Sequence, residues 1–274
     1  MSYAEWAGIA APYSRSFGAL CASTIPEVLT EARVGGHAPG RVLDAGTGTG
    51  EVAIAAAAAG WQVDAFDAEP SMIAFATESA GARADASSIR FTTATLPGIP
   101  YPDQAFDAVT ANFAINHVDH PRECLAELWQ KLVPGGRLVA TVWPWESTPT
   151  GRLWREIQDE TGAYPPPADR LPAGSDFDRS EDGLAGLLAE CGFEDVRARR
   201  VRFTWRVAAD DLWSGVEAGI AVIGYAYAAA APETRERMRA AYDARTPALT
   251  GADGLLHFEL SAVLASGVRP AVAG

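Results

Sequence analysis

The sequence predicts a doubly wound α/β fold, and three observations carry that prediction. Val42-Leu-Asp-Ala-Gly-Thr-Gly-Thr-Gly50 is an apolar strand that breaks into three alternating glycines and runs into a helical stretch, Glu51 to Ala59. Glycines there let the chain turn sharply and lie against a ligand without Cβ interference. Asp67 ends the next apolar segment, Trp61-Gln-Val-Asp-Ala-Phe66, where such a fold places the acid that takes a ribose diol. Strand-like and helix-like stretches then alternate as far as residue 143, the pattern of a parallel sheet with helices on both faces.

Taken in order, residues 1–33 read as one or two helices ahead of the sheet. Strands are expected near 41–45, 62–66, 89–93, 106–112 and 137–143, with helices near 50–59, 70–79 and 122–132 between them. Pro134-Gly135-Gly136 marks a tight turn into the fifth strand. Residues 144–182, rich in Pro, Gly and Asp, read as loop with a helix near 151–161. Two later segments, 195–207 and 255–267, read as strands, and 209–245 between them has helical spacing. The organisation is an N-terminal helical segment (1–33), a core (34–143) and a C-terminal part (144–274), all within one elaborated domain.

With 274 residues, 48% of them hydrophobic, the chain can bury a large core. Lys and Arg number 22 against 35 Asp and Glu, a net charge of −13, which repels a nucleic-acid backbone or an anionic membrane. Arg197, Arg199, Arg200 and Arg202 form the single basic run, and their spacing reads as a solvated strand face. Cys21, Cys124 and Cys191 lie far apart, as expected of reduced thiols in the cytoplasm. Residues 1–20 lack the basic start and apolar run of a signal peptide, and the Ala-rich runs at 52–59 and 216–231 are too short or interrupted to span a bilayer. No His, Cys, Asp or Glu grouping has metal-ligand spacing. Monomer and homodimer both stay open.

Charge separates the adenosine cofactors. Gly48-Thr-Gly50-Glu-Val-Ala53 fits a dinucleotide fingerprint in one register. Yet Glu51 then lies in the first helical turn, where a pyrophosphate would meet it, and Asp44 sits just upstream. S-adenosylmethionine has no phosphate and carries a sulfonium and an ammonium, so acids beside the turn favour it. A nicotinamide-dependent reductase and a non-catalytic small-molecule binding protein stand behind it as lesser readings.

The order of the glycine segment, Asp67-Ala-Glu-Pro-Ser-Met72, Ile99-Pro-Tyr-Pro-Asp-Gln-Ala-Phe-Asp107, Asn116-His-Val-Asp-His-Pro121 and Leu132-Val-Pro-Gly-Gly-Arg-Leu138 resembles class I S-adenosylmethionine-dependent methyltransferases. Within them it is most similar to the ubiquinone and menaquinone C-methyltransferases and to actinobacterial natural-product enzymes. The likeness is strong over about residues 38–143. It implies a Rossmann-like, mostly parallel sheet of seven strands with the seventh inserted antiparallel. Segments 1–33, 144–182 and 209–245 would form a helical cap over its carboxyl edge.

By the same resemblance Asp44 orders the glycine loop (Gly46, Thr47, Gly48, Gly50) and meets the methionyl ammonium, while Asp67 holds the ribose. Ala68 and Met72 pack on adenine. Thr95 stands where an acid commonly accepts from the adenine amino group, so selectivity leans on the Leu96 backbone. Asn112 and Asn116 orient cofactor or substrate.

Methyl transfer is an in-line displacement, so the protein mainly aligns the acceptor about 3 Å from the methyl and excludes water. A base is needed only when the acceptor must lose a proton. His117, after the fourth strand, is the candidate base or polar anchor, with a pKa expected near neutrality. Tyr13, in Ala10-Ala-Pro-Tyr-Ser-Arg-Ser-Phe17, resembles the N-terminal tyrosine that folds over the methyl donor in the family, and Pro12 is expected to end any preceding helix and present it from a turn. Trp143 and Trp145 straddle the exit of the fifth strand and, with Phe17 and Asn116, are the candidate acceptor contacts. Such a wall fits a small aromatic or heteroaromatic metabolite. Phenols, quinone precursors and indoles such as tryptophan-derived cyclic dipeptides qualify, methylated at carbon first and otherwise at nitrogen or oxygen.

Overall fold

The structure is a computed structural model that describes residues 6–33, 39–83, 88–167 and 176–271. His37 lies outside the described residues.

Near-continuous apolar runs mark strands buried on both faces, and the first, second, fourth and fifth strands bear this out, while the short third one lies half-exposed at the sheet's edge. β1 (Arg41–Ala45), β2 (Gln62–Asp67), β3 (Arg90–Thr93), β4 (Phe106–Asn112) and β5 (Leu132–Val142) pair in parallel. β6 (Glu194–Val207) and β7 (Leu256–Val268) complete a seven-stranded sheet of order β3-β2-β1-β4-β5-β7-β6. β7 runs antiparallel to both of its neighbours.

Side chains alternate between the two faces with the strand period of two. Val42, Ala108 and Val139 meet Val28 and Ala32 of α3 (Ile25–Ala32) and Ala53 and Ala56 of α4 (Glu51–Ala58). Leu43, Val109 and Leu138 face the other way, onto Leu125 and Leu128 of α6 (Pro121–Lys131) and Leu184 and Leu187 of α8 (Glu181–Glu190). α5 (Pro70–Gly81) packs beside β2 and β3.

A third cluster caps the far end of the sheet. It joins α7 (Pro149–Thr161), α9 (Ala209–Glu217), α10 (Ala221–Ala229) and α11 (Pro232–Leu249) to the distal parts of β6 and β7. Trp213, 1% exposed, lies 4.9 Å from the ring of Tyr242 and edge-on to Tyr227 at 5.6 Å.

Three expectations need correction. Pro12 does not end a helix: it lies in α1 (Ala10–Tyr13), within the first turn, where the N–H it lacks is not needed. Tyr13 therefore leaves a helix that continues through a π-helical turn, Ser14–Gly18, into α2 (Ala19–Ala22). Second, β5 begins at Leu132, before the Pro-Gly-Gly segment, because Leu132 pairs with Phe106 and the register then jumps to Ala108 with Arg137. Third, α8 starts inside the stretch read as loop. Ser180 caps it by accepting from Gly183 N at 3.0 Å, and Glu181 and Asp182 occupy its positive N-terminal end.

The basic run is neutralised in part by acids from other segments. Arg199 pairs with Glu27, and Arg200 with Glu146 and, at 3.0 Å, Glu181. Among the described residues no helix is long and apolar enough to cross a membrane.

Candidate active site

The glycine loop leaves β1 at Asp44, which is 2% exposed. Its two oxygens accept from Thr47 Oγ1 at 2.6 Å and Thr110 Oγ1 at 2.7 Å, so the carboxylate ties the loop to β4. Burial pushes its pKa up to about 6. Asp67, at the end of β2, accepts from Gly48 N at 2.9 Å and from Glu69 N at 3.0 Å. Glu51, in the first turn of α4, accepts from Thr49 Oγ1 at 2.6 Å, and burial raises the pKa of Glu51 and of Asp67 as well.

The glycines differ in purpose. Gly48, at φ +54°, has only the Tyr13 ring edge within 4 Å of where a Cβ would stand, at 3.7 Å, and it lines the central cavity. Gly50, at φ +92°, faces α5 instead: a Cβ there would stand 2.9 Å from Ala76 Cβ. Its freedom from a side chain serves helix packing.

The cavity, about 340 Å³, opens at the carboxyl ends of β1, β2 and β4. At one end are Gly46, Gly48, Asp67, Ala68 and Met72, with Ala94 and Leu96 beside them. At the other, Phe113 and Trp143 stack at 4.0 Å with 13° between their planes. Phe113 adopts φ +56°, a strained conformation for an aromatic residue that recurs at functional sites. All three capping segments reach this cavity: Tyr13 and Phe17, then Arg179, then Ile220 and Tyr225.

Trp6 links the two candidate catalytic residues, standing edge-on to Tyr13 at 5.4 Å and to His117 at 5.5 Å. Tyr13 donates its hydroxyl to Cys21 Sγ at 3.7 Å, and burial lifts the phenol well above its usual pKa. It can donate a hydrogen bond to a neighbour but does not ionise near neutrality. His117 ends the 3₁₀ turn Ile115–His117. Burial, with the Arg179 charge, holds its pKa down at about 4, not near neutrality as the sequence led us to expect. The imidazole is then neutral across the physiological range and a weak base. We expect its ring-proton NMR shift to stay that of neutral histidine from pH 8 down to about pH 5; a midpoint between pH 6 and 7 would overturn the assignment.

Three other residues sit differently from the sequence reading. Trp145 is 69% exposed and lies outside the cavity wall, under the Arg179 guanidinium at 4.3 Å. β5 ends at Val142, so the alternation that would have put Trp145 beside Trp143 is lost at Pro144. Thr95 is exposed, and the residues on either side of it face the cavity instead. Asn112 lines the cavity, but its amide is engaged: Oδ1 accepts from Thr24 and Thr141, at 2.8 and 2.6 Å, and Nδ2 donates to Cys21 O at 3.0 Å. It pins the N-terminal helices to the sheet. Trp6, Leu20, Phe113 and Arg179 are cavity residues that sequence reasoning did not single out.

Residues 43–140 match the family described as "Methyltransferase domain". The chain is 42% identical over 110 residues to demethylmenaquinone methyltransferase of Deinococcus radiodurans, a match covering 39% of this chain and 45% of that one. It thus spans less than half the length of that relative. It is 32% identical over 180 residues to demethylmenaquinone methyltransferase of Renibacterium salmoninarum, covering 61% of this chain and 72% of the relative. The chain belongs to the class I S-adenosylmethionine-dependent methyltransferases. The fold of this methyltransferase also matches Haemonchus contortus phosphoethanolamine N-methyltransferase 2 in complex with S-adenosylhomocysteine: TM-score 0.55, 17% identity, 98% of this chain and 60% of that one covered.

S-adenosylmethionine is the methyltransferase's cofactor, and the charges around the glycine loop fit it. Asp44 is buried and Glu51 and Asp67 are partly so, all three are pushed up in pKa by desolvation, and among the described residues no Lys or Arg forms an ion pair with any of them. Desolvated carboxylates of this kind call for a cation. The sulfonium and ammonium supply one; a pyrophosphate would add to the repulsion.

Proposed function

We propose that this methyltransferase transfers a methyl group to a small aromatic or heteroaromatic metabolite, at carbon first and otherwise at nitrogen or oxygen. The observation that carries this reading is a cavity whose glycine-loop end, with Asp67, is continuous with the stacked pair Phe113 and Trp143, while Asp44 and Glu51 line a smaller pocket that shares Gly46, Gly48 and Asn112 with it. A flat π-system slides against such a wall with ring spacings near those of aromatic pairs. In this reading Asp67 takes the ribose hydroxyls, Ala68 and Met72 pack on adenine, and Asp44 and Glu51 set the negative potential at the methionyl end. His117, Tyr13, Phe17 and Asn116 border the acceptor, with positioning and water exclusion as the main source of rate. His117 then acts as a neutral hydrogen-bond partner.

An indole, including a tryptophan-derived cyclic dipeptide of natural-product biosynthesis, suits the cavity by shape. A quinone precursor is the second reading, favoured by the demethylmenaquinone methyltransferases among the relatives. Mass detection of methylated product and S-adenosylhomocysteine, after incubation with S-adenosylmethionine and either naphthoquinol or an indole, tests both. Product from one class selects it. Tight cofactor binding with no product from a broad aromatic panel would overturn the aromatic reading.

A further inference from the structure

The aromatic cavity contains one feature that a purely apolar acceptor would leave unanswered. Arg179 reaches it from the segment before α8. Its side chain is 14% exposed, its guanidinium lies over the rings of Trp145 at 4.3 Å and Phe177 at 5.8 Å, and its Nε is buried with no hydrogen-bond partner. The one carboxylate within ion-pair reach among the described residues is Asp176, at 3.9 Å and itself 57% exposed. That carboxylate also accepts from the Phe177 N–H at 2.9 Å. The guanidinium is therefore poorly compensated, in a chain whose net charge is −13.

Two more residues that line the cavity each carry a buried polar atom without a partner, Asn116 Oδ1 and His117 Nδ1. Buried polar groups are nearly always satisfied in a protein's working state, and orphans in cavity-lining side chains point to a ligand with polar atoms. The donor among them with a fixed charge is Arg179. A guanidinium freed from most of its water and held over the rings of Trp145 and Phe177 binds an oxyanion through charge-assisted hydrogen bonds. Asn116 Oδ1, an acceptor, asks for an N–H or O–H on the same ligand.

We propose that the methyl acceptor is an aromatic compound bearing an ionised oxygen, a ring carboxylate or a phenolate, that docks on Arg179. The proposal rests on the aromatic-acceptor reading above. It also changes the chemistry open to the site. A phenolate held on Arg179 pushes electron density into its ring, so that an ortho or para ring carbon, or the oxygen itself, attacks the methyl, whereas a ring carboxylate anchors the acceptor or is methylated at its own oxygen. The acidic O–H proton has then left before transfer, so that no side chain has to remove it; on the carbon route the displaced ring proton leaves to water as the ring rearomatises.

Calorimetry on the chain loaded with S-adenosylhomocysteine tests this, using naphthoate against naphthamide as a pair matched in shape and differing in charge. Naphthoate should bind at least about tenfold more tightly. Arg179→Gln should abolish that preference while leaving naphthamide and S-adenosylhomocysteine affinities within about twofold, and Arg179→Lys should retain part of it. The same comparison with para-nitrophenolate and para-nitroanisole separates phenolate from carboxylate; preference for either anion supports the proposal. Equal binding within both pairs, or a preference that survives Arg179→Gln, overturns it and leaves the aromatic reading standing. Failure of every probe to bind overturns both, while retained S-adenosylhomocysteine binding keeps the methyl-donor assignment. Should Arg179→Gln not fold, a reduced preference in Arg179→Lys relative to the parent chain supports the proposal, and an unchanged one overturns it.

Discussion

Asp67→Ala is expected to weaken S-adenosylhomocysteine binding by about 1.5–3 kcal/mol, roughly 10- to 150-fold, in a protein that still folds. Two losses combine. The carboxylate no longer accepts the ribose hydroxyls that we assign to it. It also stops holding the Gly48 and Glu69 N–H groups, at 2.9 and 3.0 Å, which set the glycine loop and the entry to α5. Asp67→Asn separates the two contributions: its amide oxygen can still take the Gly48 N–H but lacks the charge, so an intermediate loss is expected. Calorimetric titration checks this. Unchanged affinity in a folded Asp67→Ala chain would remove Asp67 from the cofactor site.

Trp213→Ala should have the largest effect on stability, about 3–5 kcal/mol, because it empties a fully enclosed indole volume. The ring is 1% exposed and packed against Tyr242 and Tyr227. A chain of 274 residues should lose about 2 °C or more in Tm for each kcal/mol. Trp213 does not line the cavity, so S-adenosylhomocysteine affinity should stay within a factor of two when measured well below the new Tm. Thermal and denaturant unfolding give the numbers. A shift under about 2 °C would mean that the capping cluster is far looser than its packing indicates.

The legible parts of this fold are those whose cause is local. β1, β2 and β4 announce themselves because strands covered on both faces are apolar at consecutive positions, and the turn after β1 announces itself through glycines that only positive φ explains. α8 carries a readable signal too, Ser180-Glu-Asp ahead of Leu184, Leu187 and Leu188, but the Pro- and Gly-rich stretch before it masks the cap. Other features depend on segments far apart in sequence. Nothing in the sequence around Arg179 marks it as a cavity residue, since the residues that share the cavity with it, Phe113 and Tyr225 among them, come from distant segments. The depressed pKa of His117 comes from burial under Trp6 and from the Arg179 charge, neither of which periodicity can report. Asn112 shows the converse. Its place at the end of β4 is plain from the sequence, but only the approach of Thr24 and Thr141 shows that its amide is already occupied.

The position of β7 sets an order of events for the growing polypeptide. β5 and β6 both leave the ribosome ahead of it, yet in the finished sheet they never touch: each is zipped to β7 alone on the side where the other would be. Until residue 256 and beyond have emerged, the nascent sheet therefore ends at β5 with a row of open amides and carbonyls, and β6 has no ladder at all. Such edges recruit other strands. For this chain the interval between making β6 and making β7 is the time of greatest exposure to a chaperone or to a wrong partner.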